Sequence, residues 1–296
     1  MKHFTRRAAT ALLVAGAASL ASAQTKDLTI GVILPMSGSF AAHGKQIKHG
    51  IDLYMAGHGD TVAGRKIKLI VKDDTGTPPP VAKRHAQELL VNDKADILAG
   101  FSLTPNAFAA APVATQGNVP MVVLNAATSS ITEKSPNIVR VSMTLPQNAM
   151  PMARWAWDNG IKTAYTMVTD YGPGHDAEKQ FQKTFQELGG KIVGSVRTPV
   201  NTPDYSPFLQ RVLDAKPDAA FFFVPNGEDN VALAKGIKER GLEKAGVKAI
   251  ATGDVTDEEE LAAMGDAALG MITSYHYSQA HDSPENKAFV AAYTKA

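Results

Sequence analysis

The segment Val119-Pro120-Met121-Val122-Val123-Leu124-Asn125-Ala126-Ala127-Thr128-Ser129-Ser130 decides the fold class. Its first half is short, apolar and rich in β-branched residues, the composition of a strand buried on both faces of a parallel sheet. At Asn125 the chemistry turns polar where the strand must end, and ligands of open α/β sheets sit just outside the carboxyl ends of the strands. Thr128, Ser129 and Ser130 combine hydroxyls with backbone N–H groups, a set that can hold an anion without a full positive charge. A capped turn would use the same residues, because Ser and Thr hydrogen-bond locally after strands.

Upstream of this segment, strand and helix patterns alternate. Residues 28–34 read as a strand, and from Ala41 the apolar positions Ile47, Ile51, Tyr54 and Met55 recur at helical spacing. A strand over 66–72 leads through Asp73, Asp74 and three prolines into a helix carrying Val81, His85, Leu89 and Leu90. A strand at 97–100 and a helix over 105–116 follow. Four βα units in succession predict a parallel sheet covered by helices. The alternation pauses at 138–146 and restarts with helices over 147–159, 176–188, 204–213 and 228–240. Strands at 163–169, 191–196, 219–224 and 247–251 lie between and after them. Thr256 and Glu259 form a capping-box pattern ahead of a short helix; 269–277 reads as a strand, and a last helix begins near Pro284. Two α/β lobes accommodate this better than one very wide sheet.

The first 23 residues carry a separate message. Lys2, Arg6 and Arg7 precede an apolar run over 8–20, and Ala21-Ser22-Ala23 supplies the small-x-small pattern of a cleavage site. This is an export signal, and ordinary secretion fits it better than the twin-arginine route. The run is too short to span a bilayer. Cleavage would remove three of the 30 Lys and Arg, leaving 27 against 29 Asp and Glu. Without a basic footprint a nucleic-acid partner has no electrostatic support. The chain contains no Cys, so disulfides, thiol nucleophiles and lipid attachment through an N-terminal Cys are excluded together. No Gly-x-Ser-x-Gly elbow occurs, and no two of the eight His lie at the spacing of a helical zinc site. Gly172-Pro173-Gly174 lacks the third glycine of a dinucleotide loop, and the acidic run 257–260 reads as favourable charge at a helix N-terminus. Neither a metal nor a cofactor is expected.

Five motifs in order, Gly31-Val-Ile-Leu-Pro-Met-Ser-Gly38, Lys72-Asp73-Asp74, Asn125-Ala126-Ala127-Thr128, Asp170-Tyr-Gly-Pro-Gly174 and Gly265-Asp-Ala-Ala-Leu-Gly270, resemble the type I periplasmic solute-binding proteins. The likeness is to the branched-chain amino acid receptor (Leu/Ile/Val-binding) branch, whose members serve ABC importers, and it covers the whole mature chain. It implies two doubly wound lobes closing by a hinge, with 1–23 as signal peptide, 24–142 plus 275–296 as the first lobe and 143–274 as the second. Hinge segments at 142–146 and 273–276 are expected. Family members continue beyond the point matching Ala296, so the resemblance implies a chain whose C-terminal part is missing. It also implies a periplasmic monomer that meets a membrane permease.

The resemblance implies a site as well. Ser102 and Thr104 match one loop that gives donors to a ligand carboxylate, and Asn125, Ala126 and Thr128 match the other. Phe40 and His43 stand where the family places an aromatic wall, Tyr171 where it has an aromatic lid, and Asp254 where amino acid receptors keep an acid for the ligand ammonium. Asn226, with Glu228, could face the cleft. Capping and turn chemistry, an exposed helical histidine, and an aspartate in a polar loop before a helix are the plain alternatives. Asn125-Ala-Ala-Thr-Ser-Ser130, Thr169-Asp-Tyr-Gly-Pro-Gly174 and His281-Asp-Ser-Pro-Glu-Asn286 look most like the aromatic-acid-binding branch. Phe40, Phe101 and Tyr171 would stack on such a ring. The expected ligand is a small organic carboxylate, an aromatic acid before a branched-chain amino acid. An exported sensor or an enzyme on the same fold is the alternative.

Overall fold

The computed structural model describes residues 26–76, 78–225 and 227–296. The export signal and Asn226 lie outside the described residues. The first half builds β1 (Leu28–Leu34), α1 (Ala41–His58), β2 (Thr61–Val62), β3 (Arg65–Asp73), α2 (Pro79–Val91), β4 (Ile97–Gly100), α3 (Thr104–Gly117), β5 (Met121–Val123) and β6 (Ile138–Arg140). These strands form one sheet in the order β2-β3-β1-β4-β5-β6. All pair in parallel except the antiparallel β2. Because strand side chains alternate faces, Ile33 packs with Ala82, Ala86 and Leu89 of α2 and with the alanines of α3. Val32 and Leu34 instead meet Ile47 and Ile51 of α1 on the other face. A sheet so covered must be apolar on both sides, as the opening segment is.

The second half contains α4 (Leu145–Asp158), β7 (Thr163–Thr169), α5 (Gly172–Glu187), β8 (Lys191–Thr198), α6 (Ser206–Ala215), β9 (Ala219–Phe223) and α7 (Asp229–Glu239). It continues through β10 (Lys248–Thr252), α8 (Glu258–Met264), β11 (Ile272–Ser274) and α9 (Pro284–Lys295). Its parallel sheet runs β11-β10-β9-β7-β8. Phe221 and Phe223 point into one core, where Phe221 stacks on Phe181 of α5 at 4.2 Å; Phe222 points into the other. Full burial of each ring contributes about 1.5–3 kcal/mol. Two lobes, each a doubly wound sheet, are thus present.

Several elements differ from their sequence reading. Residues 138–140 pair with β5 as a sixth strand where a pause was read, because three residues with an exposed Val139 leave no periodic trace. Tyr54, counted in the buried stripe of α1, is 62% exposed and stacks on His58. Helix α5 starts at Gly172, with Pro173 in its first turn, where a ring that fixes φ and lacks an N–H is tolerated. The cap of α8 is Asp257, which accepts from Glu259 N, while Thr256 Oγ1 pairs with Thr273 Oγ1. Of 269–277 only Ile272–Ser274 is strand.

The lobes touch directly. Ser129 donates its backbone N–H at 2.7 Å and its hydroxyl at 2.6 Å to Asp176 Oδ2 on α5. The anion-binding pattern read after β5 is therefore occupied, at Ser129, by a carboxylate of the second lobe. Gln46 Nε2 of α1 donates to Asp257 Oδ1 at 3.3 Å. Gly172 lies so near Thr128 that a Cβ there would come within 2.4 Å of the Thr128 hydroxyl. Asp176→Ala should release the first contact. Two hydrogen bonds to a partly solvated carboxylate are worth about 1–2 kcal/mol, so the open arrangement gains roughly five- to thirtyfold in population. Solution scattering should show a larger radius of gyration for the variant; an unchanged profile would mean the other contacts hold the lobes by themselves.

Candidate functional site

In the first sheet the strand order reverses between β1 and β4, and in the second between β7 and β9. Such switch points leave a crevice at the carboxyl ends of the strands. Helix α1, which follows β1, delivers His43 from its first turn, the turn after β4 delivers Ser102, and Thr104 opens α3. The segment after β5 supplies Asn125, that after β7 Tyr171, and that after β10 Asp254. These six residues line one cavity between the lobes, together with Leu103, Ala127, Met143, Leu145, Pro173, Phe223 and Pro225.

The turn after β4 is bent sharply. Gly100 has φ +110°, and a Cβ on it would come within 2.2 Å of the Ile33 carbonyl oxygen. Phe101 follows at φ +64°, an uncommon conformation for a bulky residue and a common mark of a functional turn. This bend brings Ser102, 2% exposed, under α1, where Ser102 Oγ and His43 Nδ1 share a hydrogen bond of 2.8 Å. Asn125 Nδ2 donates to the Ser102 carbonyl at 3.2 Å. Thr104 Oγ1 lies 2.9 Å from Thr128 Oγ1, so Thr128 stands one hydrogen bond behind the cavity wall.

Two adjacent aspartates hold the surrounding loops. Asp73 accepts from Met36 N, Ser37 Oγ and Thr75 N, and these bonds keep its carboxyl below the usual carboxylate range against the opposing effect of its partial burial. Asp74 accepts from Gly76 N and Asn106 Nδ2, yet burial pushes its carboxyl up. Sequence reasoning read Lys72-Asp73-Asp74 as a resemblance motif only; its work is to clamp the β1 loop and the start of α3.

The remaining candidates take other places. The Ala126 N–H is spent on the Phe101 carbonyl, and both residues lie in the first core. Phe40 is buried against Gly76 and, across the lobes, Gly227. Phe223 and Met143 were missed as wall residues. The run Phe221-Phe222-Phe223 held a signal, since alternate rings must share a face and the last stands at the strand end.

Among the described residues no Lys or Arg lines the cavity. Burial holds His43 below its ordinary value, partly offset by Asp257 and by a hydrogen bond with Asn125, so it is neutral at pH 7. Burial, with the Asp254 and Asp229 charges, pushes the Tyr171 phenol well up, and its ring stacks on Phe223 at 6.1 Å. Asp254 is 4% exposed; burial, with Asp257 adding to it, raises its carboxyl to about 6. Asp254 Oδ2 has no hydrogen-bond partner among the described residues. The arrangement offers neutral donors on one wall, and aromatic surface with a lone acid on the other. Among the described residues no acid or histidine cluster could hold a metal ion, and no helix is long and apolar enough to cross a membrane.

The Leu/Ile/Val-binding protein homolog 6 of Brucella melitensis is 46% identical over 277 residues, covering 93% of this chain and 71% of that protein. Among solved structures, the solute-binding protein of an ABC transporter from Rhodopseudomonas palustris BisB5, in complex with 3,4-dihydroxybenzoic acid, superposes with a TM-score of 0.86 at 52% identity. That match covers 91% of this chain and 74% of the other. A solute-binding protein of an R. palustris ABC transporter in complex with 4-hydroxybenzoate gives 0.88 at 46% identity, over 91% and 73% of the two chains. Residues 27–296 match the model of the periplasmic binding protein family, and the chain belongs to that family.

Proposed function

We propose that this protein is the extracytoplasmic binding component of an ABC importer and captures an aromatic carboxylate between its lobes. The observation that carries this reading is the cavity itself, with hydroxyl, amide and neutral imidazole groups on the first-lobe wall and Tyr171 stacked on Phe223 opposite. A carboxylate takes hydrogen bonds from Thr104, Asn125 and the Ser102–His43 pair, whose one free proton, on Ser102 Oγ or His43 Nε2 according to the tautomer of the neutral imidazole, faces the ligand, and the ring lies against Tyr171 and Phe223. Thr128 and Ala126 support that wall from behind, and Phe40 packs where the lobes meet. The two relatives crystallised with hydroxybenzoates support an aromatic ligand over an aliphatic amino acid.

The Ser102–His43 pair serves binding and not nucleophilic catalysis. An activated serine needs a basic imidazole oriented by a third group. Here burial lowers the basicity of His43, and its side-chain hydrogen-bond neighbour besides Ser102 is the neutral Asn125 amide. The lobes divide at 24–142 plus 275–296 against 143–274. In support, α9 packs on α1 through a hydrogen bond from the Tyr293 hydroxyl to the Gln46 carbonyl and an edge contact of Tyr293 with His49. Hinge motion at 142–146 and 273–276 admits the ligand, and the closed form, a periplasmic monomer behind its export signal, engages the permease. Differential contact with the closed form drives closure.

Hydrogen bonds to a charged group are worth about 1.5–3 kcal/mol. Ser102→Ala should therefore weaken 4-hydroxybenzoate binding roughly tenfold or more in calorimetry, and unchanged affinity would remove Ser102 from the carboxylate site. A second test uses pH. Asp254 holds its proton below about pH 6, and a bound carboxylate favours the protonated form. Affinity for an aromatic carboxylate should thus fall as pH rises from 5.5 to 8, by at most about tenfold per pH unit. An amino acid whose ammonium pairs with ionised Asp254 would bind more tightly over the same range, and that trend would favour the amino acid reading.

A further inference from the structure

We infer that Asp254 is the specificity residue for a hydroxyl on the ligand ring, placed at the end away from the carboxylate. The inference rests on the aromatic-acid reading and adds to it which aromatic acids are taken.

Asp254 is the second residue of the turn that follows β10, and its backbone is held from two sides. Its carbonyl accepts a 2.7 Å hydrogen bond from the buried Asn230 Nδ2. The preceding Gly253 abuts Tyr275 so closely that a Cβ would come within 2.3 Å of that side chain. The carboxyl lines the cavity at 4% exposure, and its Oδ2 is unpartnered among the described residues. A buried oxygen left without a partner is costly, and an occupant that supplies a hydrogen bond there relieves that cost.

What faces Asp254 decides the chemistry of that occupant. Asp257 from the same loop adds negative charge, and Tyr171 from α5's leading edge presents a neutral phenol. Asp229, at the start of α7, bears on the same Tyr171 hydroxyl. The first-lobe wall brings the neutral groups His43, Ser102, Thr104 and Asn125. An occupant whose carboxylate takes the first-lobe donors therefore meets, at its other end, a carboxyl with no cation beside it. A phenolic hydroxyl fits this position in either protonation state. It donates to an ionised Asp254, or accepts from a protonated Asp254 while donating elsewhere. A second carboxylate would be repelled, and an unsubstituted ring would leave Oδ2 bare. Sites built to hydrogen-bond a hydroxyl reject the analogue lacking it far more strongly than apolar pockets reject a missing methylene.

The test is calorimetry at pH 5.5 with 4-hydroxybenzoate and benzoate on the full chain, Asp254→Ala and Asp254→Asn. The unsubstituted protein should prefer 4-hydroxybenzoate by at least about tenfold. Asp254→Ala should bring the two ligands within about threefold of each other. Asp254→Asn, which keeps an oxygen in place, should retain most of the preference. A preference undiminished in Asp254→Ala, or equal affinities in the unsubstituted protein, would overturn the role of Asp254 and leave the aromatic-acid reading standing. Binding of neither acid would overturn both, and the ratio in the unsubstituted protein decides the matter should Asp254→Ala fail to fold.

Discussion

The structure depends on one constraint, that parallel strands joined by helical crossovers bring all their carboxyl ends to the same edge of the sheet. Each lobe therefore has a single edge at which loops collect, and where the strand order reverses those loops part to leave a crevice. Here the two crevices face each other. The first lobe contributes the ends of β1, β4 and β5, the second those of β7, β9 and β10. Polar residues separated by more than 200 positions meet in one cavity, as His43 and Asp254 do, although neither lobe holds a complete site.

The electrostatics of the cavity follow from its depth. A lysine or arginine between the lobes would lose its hydration whether or not a ligand were bound, and burying an unpaired charge is costly. Neutral hydroxyls, an amide and a neutral imidazole avoid that cost and still stabilise an anion through several hydrogen bonds. The loops that carry them are held by charged groups elsewhere. Asp73 and Asp74 sit behind the first-lobe edge and saturate backbone N–H groups around it. Charge is used for fixing loops, and neutral donors are kept for the interior.

Direct contacts between the lobes share in setting how the site works. Ser129 with Asp176, Gln46 with Asp257, and the close approach of Gly172 to Thr128 all form only when the lobes are together. Apparent affinity then combines ligand contacts with the population of the closed state. Residues remote from the cavity can thus scale affinity without altering selectivity.

Much of this was determined by local sequence. Strand 163–169 was legible to the residue, because its β-branched and aromatic residues form a short run bounded by polar turns. The six cavity-lining candidates were named through the family resemblance, and each stands just past such a run or in the helix that follows. Tertiary structure alone decided the rest. The three residues of β6 are a strand only because β5 lies beside them. Ser129 faces a protein carboxylate because α5 of the other lobe arrives there, and Phe101 is core because a positive φ turns it inward. A periodic pattern encodes which face of an element is buried; the identity of the group that meets it depends on chain brought from more than a hundred residues away in some cases, and no local pattern carries that information.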